Sequence, residues 1–418
     1  MGYQAKPRLR SVMLAAAAAA AVVACSVIEA AADEIKLGVL APLTGPSASD
    51  GEEYVRGVTW AVEEANAKGG IAGHMFKVEV ADVGDQTAAN VTSAAERLLG
   101  TRGVEAIFTG YASLSMFEVD LMAEAGMPYL SAGPTPPYAA IVSKKPDDYW
   151  CCWSYSADFT GYVTDVLPTV ESLAKDGAVS LKGKKVAIIS SDNPYSKGIS
   201  EGMKPLFKAA GWTITVDEIV PFGEVSDWRA VLAKVRQDPP DLVINTDYLP
   251  GNSALFLKQF LEQPTASLVF LQYAPSVPEF IKLTGAQSTG VLYDLIGAPM
   301  DSPKWPRGQM LLKAYKDKYG VESGPYGVGL YEMTQIYFKA LAEVGDPRNH
   351  KAIGLALGKQ KAVSVAGVIE FNPKTHVALQ DADHVPVTFF QIRDGRRVLI
   401  KPDKYANGKF ELPPWMKQ

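Results

Sequence analysis

Strand-like and helix-like patterns alternate along this chain, and the series runs through twice. Ile35-Lys36-Leu37-Gly38-Val39-Leu40 reads as the first strand. The helix expected over 50–67 carries Val55, Val58, Val62 and Ala65 on one face at spacings of three and four, and Lys68-Gly69-Gly70 stops it. Further strands are expected at 76–83, 104–110 and 128–132, with helices at 87–99 and 113–125. The series restarts at Lys185-Val186-Ala187-Ile188-Ile189-Ser190. Strands at 212–220, 242–245 and 268–271 then alternate with helices at 196–210, 228–236 and 253–261. Short strands separated by helices build βαβ units around a parallel sheet. Strands as apolar as 185–190 need helices on both faces. Two α/β lobes of like construction, strung in tandem, are the expected result. Helical patterns return at 304–319 and 325–344, and the tail from Val363 to Ile400 is strand-rich, with Asp394-Gly395 as a hairpin turn.

Ahead of the first strand stands an export signal. Lys6, Arg8 and Arg10 precede an unbroken apolar run from Val12 to Ala24, and Ala30-Ala31-Ala32 supplies small residues before Asp33. A run of about a dozen residues falls short of the ~20 needed to span a bilayer. Cleavage after Ala32 is expected; Val22-Val23-Ala24-Cys25 also fits the box in which a lipoprotein is cut and its Cys acylated. Loss of 1–32 removes three basic residues and Glu29, moving the formal charge from −5 to −7. An acidic chain without a Lys/Arg cluster argues against nucleic acid as a partner. The remainder exceeds what one core organises, since single cores stop growing near 250–300 residues. After that cut only Cys151 and Cys152 remain, so the core and not a disulfide framework must supply stability. The pair itself reads as buried thiols, a vicinal disulfide or metal ligands.

Catalytic motifs occur only as near misses. Ser172-Leu173-Ala174-Lys175 and Ser191-Asp192-Asn193 copy two motifs of penicillin-binding enzymes, but they stand 19 residues apart and no Lys-Thr-Gly follows. Between Gly177 and Gly183 lie five residues where a phosphate loop has four, and Lys185 stands where that loop has its Mg²⁺-binding Ser or Thr. No Gly-x-Gly-x-x-Gly follows a strand. His74, His350, His376 and His384 form no pair at metal-ligand spacing, and His376 and His384 read as surface residues. Neither a metal nor a cofactor is expected.

Small-molecule chemistry gathers instead after the strands. In open parallel sheets, ligands sit beyond the strand carboxyl ends. The segment Leu43 to Asp50 follows the first strand, Gly110-Tyr111-Ala112-Ser113 the third, and Ser131-Ala132-Gly133-Pro134-Thr135 the fourth. Each leads into a helix or tight turn whose free N–H groups suit a carboxylate or carbonyl oxygen, although Ser, Thr and Asp there also serve as plain helix caps. The second series offers Tyr195, Tyr248 and Tyr273 at corresponding places. Each combines a large apolar ring with one hydroxyl. Trp150, Trp153 and Tyr155 lie where the first lobe hands over to the second, at the cleft or the hinge.

Taken together, 35–40, Leu43-Thr44-Gly45-Pro46, Asn66 to Gly73, Asp82, the 85–89 segment, and Ala187-Ile188-Ile189 followed by Tyr195 and Gly198 resemble the periplasmic solute-binding proteins of ABC transporters. The likeness is to the type I group typified by the leucine/isoleucine/valine-binding protein, and it spans nearly all of the chain after the signal. It implies an α/β fold of two Rossmann-like lobes with parallel sheets joined by a multi-stranded hinge. The expected division is 33–156 plus 296–368 for lobe 1 and 157–295 plus 369–418 for lobe 2. By the resemblance, Ala112, Ser113, Gly133 and Thr135 hold a ligand carboxylate, Tyr248 packs on the ligand side chain, and Tyr195 and Asp50 occupy cleft positions. Trp153 and Tyr273 complete the candidate set from their places in the series. One departure stands out: amino-acid binders carry an acidic residue where this chain has Gln272-Tyr273-Ala274-Pro275. Asp50 or Asp247 is left to substitute, or the ligand lacks an α-amino group. The implied role is capture, by lobe closure, of a small amino-acid-like or carboxylate/amide solute, a branched-chain amino acid first and an aromatic acid or amide otherwise, and its delivery to permease subunits of the inner membrane. The alternative is an exported sensor that reads a solute for a membrane receptor.

Overall fold

The computed structural model describes residues 1–2, 35–133 and 136–417. The export signal, Cys25 and the cut after Ala32 lie outside the described residues, as do Pro134 and Thr135. Two large sheets organise the chain.

The first sheet contains β1 (Ile35–Ala41), β2 (Phe76–Asp82), β3 (Val104–Thr109), β4 (Tyr129–Ser131) and β5 (Cys152–Ala157). They lie in the order β5-β4-β3-β1-β2, all parallel. The second repeats the plan with β6 (Lys185–Ser191), β7 (Thr213–Val220), β8 (Leu242–Asn245), β9 (Leu268–Leu271) and β10 (Leu292–Ile296) in the order β10-β9-β8-β6-β7, again parallel. Each order reverses direction once, between β1 and β3 and between β6 and β8. At such a switch point the loops diverge and open a crevice at the strand carboxyl ends.

Burial follows the sequence pattern. Every residue of β8 and β9 is buried, and β1 and β6 each leave one partly exposed. Helix Ala48–Ala67 buries Val58, Val62 and Ala65 as their spacing predicts, with Tyr54 and Ala61 widening the face and Val55 half-buried. Strands β5 and β10, which the alternation did not single out, extend the sheets beyond β4 and β9.

The later elements are β11 (Lys361–Ser364), β12 (Gly367–Glu370), β13 (Val377–Ala378), β14 (Val387–Arg393) and β15 (Arg396–Lys401). β13 pairs with β5 in the first sheet, whereas β14 adds antiparallel to β10 and β15 to β14 in the second. The chain therefore passes between sheets three times: after Ala157, after Ile296, and between Ala378 and Val387. The last passage comes after β13, later than the 368/369 position expected from sequence. Asp394 and Gly395 both take positive φ, 48° and 72°, as a two-residue hairpin turn between β14 and β15 requires.

His376, expected at the surface, is buried: its ring stacks 3.9 Å from that of Trp153, and Nδ1 lies 3.1 Å from the Cys152 carbonyl. Burial lowers its pKa. Cys151 and Cys152 are buried free thiols. Among the described residues no helix is long and apolar enough to cross a membrane.

Candidate functional site

The loops after the strands set the site residues. Asn193 accepts a hydrogen bond from the Ser196 N–H at 2.9 Å and caps helix Pro194–Ala209, which places Tyr195 on its first turn. After β8 the buried Asp247 carboxylate accepts the Leu249 N–H at 3.0 Å and the Asn252 side-chain amide at 2.7 Å. Tyr248, between Asp247 and Leu249, is thereby fixed before helix Pro250–Glu262. After β9 the backbone folds into a γ-turn of the rare, strained hand: Tyr273 has φ 63° and ψ −53°, and the Ala274 N–H donates to the Gln272 carbonyl. A bulky residue in that conformation costs of order 1–3 kcal/mol and persists where its surroundings hold it.

Tyr195, Tyr248 and Tyr273 meet Tyr111, Leu114 and Gly133 of the first series, with Tyr162 and Tyr326, around a small cavity of about 30 Å³. That is room for about a water molecule or two, so any larger solute has to move the surrounding rings apart. Its position, beside both switch points and between the sheets, is the one the topology favours.

Four of the rings close a circuit. Tyr111 to Tyr248 is 6.4 Å between centroids at 88°, and Tyr248 to Tyr273 is 6.4 Å at 70°. Tyr273 to Tyr326 is 6.3 Å at 44°, and Tyr326 to Tyr111 is 5.9 Å at 56°. Phe222 lies nearly parallel to Tyr248, 6.0 Å away. Behind the circuit stands Asp50, buried, with its carboxylate accepting the Tyr111 hydroxyl at 2.7 Å. Burial pushes the Asp50 carboxyl up to about 7; the Tyr111 bond opposes this, while Glu53 and Glu279 reinforce it.

Two predicted oxygen-binding loops are occupied by their own neighbours. The Ser113 hydroxyl donates to Glu118 at 2.5 Å, its N–H donates to the same carboxylate at 3.2 Å, and its oxygen accepts the Met116 N–H. The Gly133 N–H donates to the Gly110 carbonyl at 2.6 Å. A Cβ at Gly133 would lie 2.9 Å from that oxygen, so glycine permits the close approach of the two loops. Ala112 is buried, and its carbonyl accepts from Gln86 at 3.2 Å. Trp153 stands apart from the cavity. It lies one residue into β5, at the end of the strand opposite the site, and packs on Phe371 and His376. Asp247 is engaged in its own turn, and burial pushes it up to about 6.

Tyr326 and Tyr162 escaped the sequence reading. Tyr326 precedes helix Gly327–Val344, and the Tyr326 and Gly327 N–H groups each donate to Glu53 at 2.9 Å. A residue nearly three hundred positions away therefore sets it, and no local pattern announces that. Tyr162 belongs to short helix Thr160–Thr164, just after the first passage between sheets.

A model of the family described as periplasmic binding protein matches residues 34–396. The chain is similar to the Leu/Ile/Val-binding protein homolog 8 of Brucella abortus (strain 2308), 30% identical, with 93% of this chain and 95% of that one covered. Among solved structures it is similar to a putative branched-chain amino acid ABC transporter protein from Silicibacter pomeroyi, at 32% identity and TM-score 0.81, covering 92% of this chain and all of that one. A leucine-binding protein of Thermotoga maritima shares the fold at 20% identity and TM-score 0.70, with 87% of this chain and 97% of that one covered.

Proposed function

Because the chain belongs to the periplasmic binding protein family, as a substrate-binding component of the branched-chain amino acid ABC transporter type, we propose that it captures a small organic solute outside the cytoplasm and delivers it to membrane permease subunits. The observation that carries the reading is the tyrosine-walled cavity, whose walls come from the strand ends of both sheets. A solute touching both sides gains contacts only when the lobes are together, so its differential affinity shifts the population toward the closed form.

The hinge lies on the three passages between sheets, where Ser156 donates to the Ile296 carbonyl at 3.4 Å and Gly297 sits against Ser156. Asp50, Tyr195, Tyr248 and Tyr273 form or back the walls. Ala112, Ser113 and Gly133 shape the loops, and Thr135 follows Gly133 by two residues in sequence. The relatives are solute-binding proteins, which supports binding without a chemical step.

A thermal-shift panel of amino acids, amides, aromatic acids and alkylammonium ions tests the reading. At least one solute raises the unfolding temperature in proportion to the logarithm of its concentration, and Tyr248→Ala diminishes that rise at equal concentration. A rise that survives Tyr248→Ala undiminished places binding elsewhere.

A further inference from the structure

We propose that the solute is a small organic cation, recognised through an alkylated ammonium group held inside the circuit of Tyr111, Tyr248, Tyr273 and Tyr326. This rests on the reading above, that the tyrosine-walled cavity is the solute site.

The lining states the chemistry. Six of the eight residues around the cavity are tyrosines, and the other two are Leu114 and Gly133. No basic side chain is among them, so an anion entering would find no opposite charge. The donors best placed for a carboxylate are already engaged, Ser113 with Glu118 and Gly133 with the Gly110 carbonyl. A ring face is electron-rich, and a cation is attracted to it within about 6 Å of the centroid. A cation roughly 4.5 Å from each of two perpendicular faces separates their centroids by about 6.4 Å. The Tyr111–Tyr248 pair, at 6.4 Å and 88°, matches that spacing and Tyr248–Tyr273, at 6.4 Å and 70°, comes near it, while the more tilted Tyr273–Tyr326 and Tyr326–Tyr111 pairs complete the aromatic wall around a small cavity.

Two buried acids stand behind the walls. Asp50 accepts the Tyr111 hydroxyl, which pushes electron density into that ring and strengthens its face toward a cation. Asp294, on β10, is fully buried; beside the Gln272 side chain, neither carboxylate oxygen makes a well-aligned hydrogen bond among the described residues, and it stands close enough to Tyr162 and Tyr195 to perturb both. A positive charge between them offsets the cost of burying either in its ionised form. Methyl groups on the nitrogen suit the site further, because they fill apolar space between rings where a bare ammonium would leave its three donors unpaired.

Calorimetry with tetramethylammonium and choline, against 3,3-dimethylbutan-1-ol as the uncharged isostere of choline and against leucine, tests the assignment. Both cations are expected to bind, with the neutral isostere at least about tenfold weaker. Asp50→Asn is expected to weaken choline about tenfold, and Asp50→Glu to restore part of that loss. Equal binding of choline and its neutral isostere overturns the proposal, as does choline affinity unchanged in Asp50→Asn, or silence of both cations at tens of millimolar. Small-angle scattering separates the two readings. Compaction with leucine but with neither cation removes the cation and keeps solute capture, whereas binding without compaction by any of these compounds removes closure itself.

Discussion

Tyr248 stands where the fold and the proposed function meet. It touches Tyr111 of the first series and Tyr195, Tyr273 and Phe222 of the second, so on the proposed closure its contact with Tyr111 would be lost when the lobes part. Losing a fully buried aromatic ring costs roughly 3–5 kcal/mol in a core. At a cleft wall the expected loss is about 1–3 kcal/mol of binding, or ten- to a hundredfold in affinity. Titration of Tyr248→Ala with a solute from the panel checks this, and the unfolding temperature of the solute-free variant should stay near the parent's. Asp50 carries a pH signature. Its folded-state pKa of about 7 stands above the ordinary 3.8, so the folded chain holds this proton more tightly than the unfolded one. Its stabilising contribution is full below about pH 4 and is lost as pH rises to about 7, a change on the order of a few kcal/mol. Glu53 on the same helix and Glu279 across the cleft face it and push its titration upward. The parent-minus-Asp50→Asn stability difference, from urea unfolding at about pH 4.5, 6 and 8, should therefore fall between the first and last points. A flat difference would mean that Asp50 titrates normally. At this scale the tyrosines after β6, β8 and β9 were legible because a strand end is a local feature. The engagement of Ser113 by Glu118 was not, since it depends on the exact path of the turn between them.

Among the elements, the N-terminus of helix Gly327–Val344 depends most on a partner far away in sequence. Glu53, on helix Ala48–Ala67, accepts the N–H groups of Gly324, Tyr326 and Gly327, which the helix itself cannot satisfy. The two helices press together closely enough that a Cβ on Gly57 would lie 2.4 Å from the Gly327 carbonyl. Replacing Glu53 with Gln leaves one acceptor oxygen for three donors. Glu53→Gln should lower stability by about 1–3 kcal/mol and weaken solute binding as well, because Tyr326 loses its anchor. Denaturant unfolding and calorimetry on the same variant test both halves; lost stability with full affinity would show that Tyr326 keeps its place without the cap. Helix existence here was plain from periodicity. Its functional consequence was hidden, because an acidic residue in the first turns of one helix reads as ordinary dipole complement, with nothing to indicate a second helix leaning on it.

For the whole molecule, the repeated order β2-β1-β3-β4-β5 in the first sheet and its counterpart in the second place the two switch points face to face across a single cavity. Three backbone passages connect the lobes, and the proposed closure would turn about them. Scattering should show a smaller radius of gyration at saturating solute than without it, and Tyr248→Ala should require more solute for the same compaction. An unchanged profile at saturation would rule out hinge closure. The sequence by itself determined the layered architecture, since apolar periods of two and 3.6 and glycine stops are local and repeat along the chain. It also determined which loops lie at the ligand-facing edge, because strand direction in a βαβ unit leaves no other choice. The late strands were decided by tertiary structure: β13 joins the first sheet and β14 the second, although they stand only eight residues apart. So was the enclosure of the cavity by Tyr111 and Tyr326 from one side and Tyr248 and Tyr273 from the other. Those rings lie tens to hundreds of residues apart, and only the docking of two separately patterned lobes brings their faces and a buried Asp50 to one place.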